Sequence, residues 1–218
     1  MATEHLATLR QSIPRLRQLI SHIEPTFRFD TVADIDASFI TEQGFRVVLW
    51  DVDGTLMAYH AGDVDARFPL IRVLFRDGPA RHAILSNCDE RRFDQLGQIF
   101  PEIPLLRGYA TDEGPVFRHL WHGTDTHTSE ALRHIQSNRG TQIRKPSGEL
   151  VRYGMRVLGE ADPQAVLVVG DQYLTDIASA NLAGARSAKV STFRQDTFPV
   201  SIRLSQHLEN AIYRVFGS

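Results

Sequence analysis

The chain has one cysteine, Cys88, in 218 residues. That excludes an internal disulfide and a zinc site built from several thiolates. No apolar run reaches the roughly 18 residues that a membrane-spanning helix needs. The opening residues, MATEHLATLRQSIPRLRQ, lack the apolar core of a secretory signal. A reducing, cytoplasmic compartment is therefore expected. Lysine is also scarce: among 24 basic residues only Lys145 and Lys189 are lysine, the rest being arginine. A lysine supplies a compact point charge with three donors, which arginine does not copy. Charge of one sign does not accumulate either, since 26 acidic residues leave a formal net charge of −2. A nucleic-acid-binding domain is usually basic, so no nucleic-acid partner is expected.

What is present suits an α/β protein. Hydrophobic residues make up 42% and charged residues 23% of the chain, an ordinary globular balance. Short apolar runs predict strands over 46–50, 82–86, 104–109, 165–169 and 188–193. Helical periodicity is read over 67–76, 90–100, 175–183 and 199–216, the last with Leu204, Leu208, Ile212 and Val215 on one face. A further helix follows Lys145-Pro146, with Ser147 placed to cap it. Residues 3–24 read as an N-terminal helix with Leu6, Leu9, Ile13, Leu16, Ile20 and Ile23 in one stripe, and 25–44 as a connector. The expected organisation is thus 1–44 packed on a domain of 45–218, which carries an insertion at about 111–141. Strands alternating with helices predict a mainly parallel five-stranded sheet flanked by helices. In such sheets ligands sit at the carboxyl ends of the strands.

Those ends carry chemistry. The first strand leads into Asp51-Val52-Asp53-Gly54-Thr55-Leu56, and the second into Ser86-Asn87. The strand over 165–169 leads into Gly170-Asp171, with Asp176 shortly after. In an extended chain, positions i and i+2 point the same way, so Asp51 and Asp53 share a side. A single Asp after a strand is usually a turn or cap residue. Four carboxylates on one rim repel one another unless a cation or protons compensate. Oxygen ligands of this kind select a hard cation such as Mg²⁺.

DVDGTL after a strand, LSN after the next, KP before a helix and GDQYLTD after a later strand resemble the four motifs of the haloacid dehalogenase (HAD) superfamily. The resemblance spans 46–191 and implies a Rossmann-like fold and Mg²⁺-dependent phosphomonoester hydrolysis through an aspartyl-phosphate. It implies Asp51 as nucleophile and Asp53 as general acid and base. Asp51, Asp171, Asp176 and the backbone carbonyl of Asp53 would form the metal site. Thr55, Ser86, Asn87 and Lys145 would serve the phosphoryl group, with Lys145 also neutralising charge during catalysis. GDQYLTDIASANLAGA is similar to the corresponding motif of phosphatidylglycerophosphatase-like members. A phosphorylated metabolite or a lipid head group follows as the expected substrate. A phosphotransferase or mutase on the same site, and a non-catalytic scaffold, stand as alternatives.

The stretch between Asp53 and Ser86 is too short for a large cap, and the surplus at 111–141 is read as a small lid, which would favour small metabolites, or as a homodimer contact, with an open site admitting larger substrates. His119, His122, His127 and His134 fall in or beside it, read as solvated or lid histidines before a metal set. Trp121 is read as packing there, Cys88 as a buried inert thiol, and Tyr59 and His60 as flap or turn residues. The N-terminal helix, with Arg10, Arg15 and Arg17, is read as packing on the domain, or as a peripheral membrane contact.

Overall fold

The computed structural model describes residues 19–127, 131–133, 135 and 140–217. Its nine strands form one sheet, which grows outward from two fully buried central strands. β2 (Val47–Trp50) and β8 (Val166–Gly170) pair in parallel, Trp50 opposite Val169. Both are buried at every position because helices cover both faces. Val48 and Trp50 join one apolar core while Val47 and Leu49 join the other, the two-residue alternation of a strand.

β3 (Arg81–Leu85) and β4 (Leu105–Thr111) continue the parallel sheet on one side. β9 (Arg186–Val190) and β1 (Phe27–Phe29) continue it on the other. β5 (Gly114–Trp121) and β6 (Thr124–Asp125) add antiparallel strands beyond β4, and β7 (Thr141–Ile143) pairs with the far end of β4. The helices are α1 (Ala37–Glu42), α2 (Ile71–Asp77), α3 (Glu90–Ile99), α4 (Gly148–Val157), α5 (Ala178–Ala183) and α6 (Val200–Phe216).

The architecture is the expected α/β one, with a mainly parallel sheet flanked by helices. All five expected strands are present, and four more flank them. The connector over 25–44 contains β1, whose Phe27 and Phe29 pack edge-to-face on Phe39. Part of the 111–141 segment continues the sheet as β5 and β6. Glu90 ties this hairpin to α3 by accepting from Arg107 (2.8 Å), Tyr109 (2.6 Å) and Arg118.

Two local expectations are corrected. Ser147 makes no side-chain cap, because the start of α4 abuts α5 and the Ser147 N–H donates to Ser179 Oγ at 3.0 Å. Most of the stripe on α6 faces outward: Leu204, Leu208 and Val215 are 68%, 52% and 71% exposed, Ile212 alone of the four packs on the cluster of Leu19, Ile23 and Tyr173, and Ile202, Gln206 and Glu209 are buried. Polar groups face inward there because they have work to do at the strand ends. Gln206 Nε2 donates to Asp171 Oδ2 (3.2 Å), and Glu209 Oε2 accepts from the Leu174 N–H (3.3 Å). The N-terminal helix lies mostly outside the described residues, as do Arg10, Arg15 and Arg17. Its last part is anchored, with Leu19 and Ile23 buried against Tyr173, Leu174 and Ile177.

Candidate active site

Adjacent parallel strands deliver the acidic residues to one rim. Asp51 follows β2 and its N–H continues the ladder, donating to Val169 O at 2.9 Å. Asp171 follows β8, next door. Asp176 sits in a wide π-type turn over Tyr173–Ile177 that folds back across the end of β8. This needs Gly170: a Cβ there would lie 2.2 Å from Asp176 Cγ. Gly54, at φ +88°, opens the loop after Asp53 just as tightly, since its Cβ would lie 2.9 Å from Asp171 Oδ2.

Lys145 arrives from β7. The Asn87 side chain clamps its backbone, Nδ2 donating to Lys145 O (3.0 Å) and Oδ1 accepting from Lys145 N–H (2.7 Å). The buried ammonium then donates to Asp51 Oδ1 and Asp176 Oδ1, each at 2.5 Å. Asp176 Oδ2 accepts from the Gln172 N–H at 3.0 Å. Thr55, also buried, donates to Asp51 Oδ2 at 3.1 Å, so its hydroxyl orients the expected nucleophile.

Asp51, Asp171 and Asp176 each offer an oxygen within 4.8 Å of the others. Burial pushes the Asp51 carboxyl up to about 7 despite Lys145, with Asp176 adding to the rise. Burial, then repulsion from Asp51 and Asp176, holds Asp171 well above the usual carboxylate range. Burial opposes charge on Lys145, but Asp176 and Asp51 outweigh it and raise its pKa. Two lysines face the three acids, Lys145 bonded to Asp51 and Asp176 and Lys189 acting on Asp171, yet burial and mutual repulsion still penalise the ionised forms of Asp51 and Asp171. Asp171 Oδ1 is buried without a hydrogen-bond partner, while Oδ2 takes Gln206. An all-oxygen donor set with one idle buried carboxylate oxygen fits a hard divalent cation.

The Asp53 side chain stands apart from this trio. Its Oδ1 accepts from the His60 N–H (2.9 Å) and from Arg92 Nη2 (3.0 Å). Asp51, Asp53, Ser86, Asn87 and Lys145 line one narrow cleft of about 100 Å³, with Tyr59, His60, Arg144 and Phe198 around it. No residue of 111–141 lines it among the described residues. Sequence reasoning missed Arg92 and Gln206. Arg92 is one of two consecutive arginines on a helix, and Gln206 belongs to an amphipathic stripe, so neither carries a signal of its own.

The described histidines of this stretch do not converge. His119 Nδ1 meets Tyr153 OH at 2.9 Å, His127 Nε2 meets Phe117 O at 2.9 Å, and exposed His122 stacks on Trp121. His134 lies outside the described residues. Trp121 is half-exposed, and its indole N–H donates to Glu102 O at 3.2 Å. Cys88 Sγ accepts from Arg107 at 3.1 Å, and burial pushes the thiol pKa up, which suits an inert thiol.

Among known proteins, residues 142–197 match the family model described as HAD-hydrolase-like. No curated protein matches the chain. Two of the solved structures that resemble it distantly are the following. An uncharacterized protein from Listeria monocytogenes serotype 4b is 16% identical, with 71% of this chain and 85% of that one covered and a TM-score of 0.42. The "putative p-nitrophenyl phosphatase" of Bacillus subtilis is 15% identical, with coverage of 87% and 73% and a TM-score of 0.22. Likenesses at that level add nothing to the argument. The family match covers about a quarter of the chain, and Lys145, Asp171 and Asp176 fall within it.

Proposed function

We propose that the chain is a Mg²⁺-dependent phosphomonoester hydrolase that transfers the phosphoryl group to Asp51. The observation that carries this reading is the meeting of Asp51, Asp171 and Asp176 within 4.8 Å of one another, with Lys145 between two of them. A divalent cation held by Asp51, Asp171, Asp176 and the Asp53 carbonyl would supply charge neutralisation on the phosphoryl oxygens.

The rest falls to the chain's own side chains. Thr55 and Lys145 aim the Asp51 carboxylate, and Lys145 offsets repulsion between that anion and the anionic ester. Ser86, Asn87 and Lys145 serve the phosphoryl oxygens. Asp51 attacks phosphorus, the ester oxygen leaves, and Asp53 gives it a proton. Asp53 then takes a proton from the water that attacks the aspartyl-phosphate, which frees Asp51 and releases phosphate.

For substrate class, the similarity of GDQYLTDIASANLAGA to phosphatidylglycerophosphatase-like proteins supports a phosphorylated head group or a comparable metabolite. The test is hydrolysis of an aryl phosphate, a glycerol phosphate and a lipid phosphate by purified protein. Mg²⁺-dependent turnover that Asp51→Asn abolishes is expected. Metal-independent turnover, or turnover that survives Asp51→Asn, would contradict the reading. A lipid phosphate left intact while small esters turn over would remove the lipid assignment alone. No helix among the described residues is long and apolar enough to cross a membrane.

A further inference from the structure

Arg92 is a buried cation that the chemistry above does not use. Its side chain is 2% exposed, and the one carboxylate it pairs with among the described residues is Asp53. Burying a guanidinium is unfavourable unless its donors are engaged. Nε is buried without a hydrogen-bond partner, but the two terminal nitrogens engage one loop at three places. Nη2 donates to Asp53 Oδ1 (3.0 Å) and touches Met57 Sδ (3.9 Å), while Nη1 donates to Ala61 O (2.9 Å). Nη1 also donates to Gln95 Oε1 at 2.8 Å, on the next turn of α3.

The same loop closes on Asp53 from inside. The His60 N–H donates to Asp53 Oδ1 at 2.9 Å, with His60 itself in the left-handed region at φ +56°. The Gly54 N–H donates to Met57 O at 2.8 Å. Both donors to the Asp53 side chain therefore converge on Oδ1, and Oδ2 is the oxygen left to serve a leaving group. The first turn of α3 is itself fixed at the rim: Asp89, which lines the cleft, caps it by accepting from the Arg92 N–H at 2.8 Å.

We infer that Arg92 is a positioning residue that clasps the 53–61 loop and presents Asp53 Oδ2 to the departing ester oxygen. This rests on the phosphatase reading and deepens it. It specifies which step Arg92 assists: protonation of the leaving group, not attack by Asp51. That step matters when the leaving alkoxide is a strong base and hardly at all when it is a weak one.

The experiment compares kcat/KM for an alkyl ester, glycerol phosphate, with kcat/KM for 2,4-dinitrophenyl phosphate, whose leaving group departs without a proton. kcat/KM reports the steps up to departure of the ester oxygen and leaves out the later water attack, in which Asp53 serves both esters alike. Wild type, Arg92→Gln, Arg92→Lys, Asp53→Asn and the Arg92→Gln/Asp53→Asn double variant are assayed with Mg²⁺. Arg92→Gln is expected to lower kcat/KM for the alkyl ester roughly 30-fold or more and that for the dinitrophenyl ester roughly 3-fold or less. Arg92→Lys keeps a buried cation but not the fork, and should show the same selective loss in milder form. In the double variant the Arg92 change should add little to the loss from Asp53→Asn.

An equal loss on both esters would overturn the inference, since a merely structural role predicts that. Full additivity with Asp53→Asn would also overturn it. Should Arg92→Gln fail to fold, Arg92→Lys decides by the same ratio. A wild type inactive on both esters would instead sink the phosphatase reading, and the inference with it. A wild type silenced by Asp51→Asn but with no ester-selective Arg92 effect would sink the inference alone.

Discussion

Lys145 Nζ lies 2.5 Å from Asp51 Oδ1, although 94 positions separate the two residues in the chain. The contact joins the end of a central strand to a loop after the outermost antiparallel pairing of β4, and Asp176 completes it from a third element. In Lys145→Met the two carboxylates would face one another without a counter-charge. Breaking a buried pair in this way costs about 3–5 kcal/mol. Urea unfolding at neutral pH without added metal should show a destabilisation of that order, and Mg²⁺ should recover part of it. A stability equal to wild type would mean that the ammonium is not needed to hold the acids together.

The pH dependence of metal binding follows from the same burial. The folded-state pKa of Asp51, about 7, lies above its ordinary value of 3.8. Between those values the folded chain holds a proton that the unfolded chain has released. This group's contribution to metal-free stability is therefore present at low pH and is lost as pH rises through about 7. Asp171 acts in the same direction. A cation needs both carboxylates ionised, so it displaces these protons. The rise in Tm on adding Mg²⁺ should be small near pH 5 and grow up to about pH 8. A shift that shrinks with rising pH would contradict the assigned ligands.

Gln206 reaches the same site from α6, and its amide donates to Asp171 Oδ2, while Oδ1 is buried without a partner. Loss of such an orienting bond typically weakens metal affinity about 10–100-fold. Calorimetric titration of Gln206→Leu with Mg²⁺ should show a weakening in that range, with the fold intact by circular dichroism. Unchanged affinity would show that Asp171 does not rely on α6.

Gly170→Ala tests how tightly the turn is folded over β8. The added methyl would stand 2.2 Å from Asp176 Cγ, so Asp176 must move away from Lys145. Activity should fall by about two orders of magnitude, the scale on which a misplaced catalytic group is felt. The Tm should fall as well. Near-wild-type kcat would show that Asp176 can be displaced without consequence.

The parts of this arrangement that the amino-acid order reveals are those with a strong local pattern. RVVLW and AVLVV read as buried strands because both faces of a central parallel strand are covered, and both occur as β2 and β8. Asp51, Asp171, Asp176 and Lys145 were legible because carboxylates and a rare lysine stand beside such strands. β1 was hidden because Phe27–Phe29 is too short for periodicity, and its pairing with β9 is decided by contacts far away in sequence. β5 was hidden by its own side chains: Arg118 and His119 look solvent-facing until Glu90 and Tyr153 supply partners. Of the stripe on α6 only Ile212 packs inward, because periodicity does not say which face meets the protein. Gln206 and Glu209 face inward through hydrogen bonds to Asp171 and Leu174, which no helical wheel contains.

The central claim is that the phosphoryl group passes through Asp51, and a trapping experiment tests it most directly. Purified protein is mixed with Mg²⁺ and excess aryl phosphate, quenched in acid within the first turnover, digested and analysed by mass spectrometry. The account predicts a phosphoryl adduct on the Asp51 side chain, absent without metal and absent in Asp51→Asn. Turnover with no adduct on Asp51, or an adduct on another residue, would contradict it.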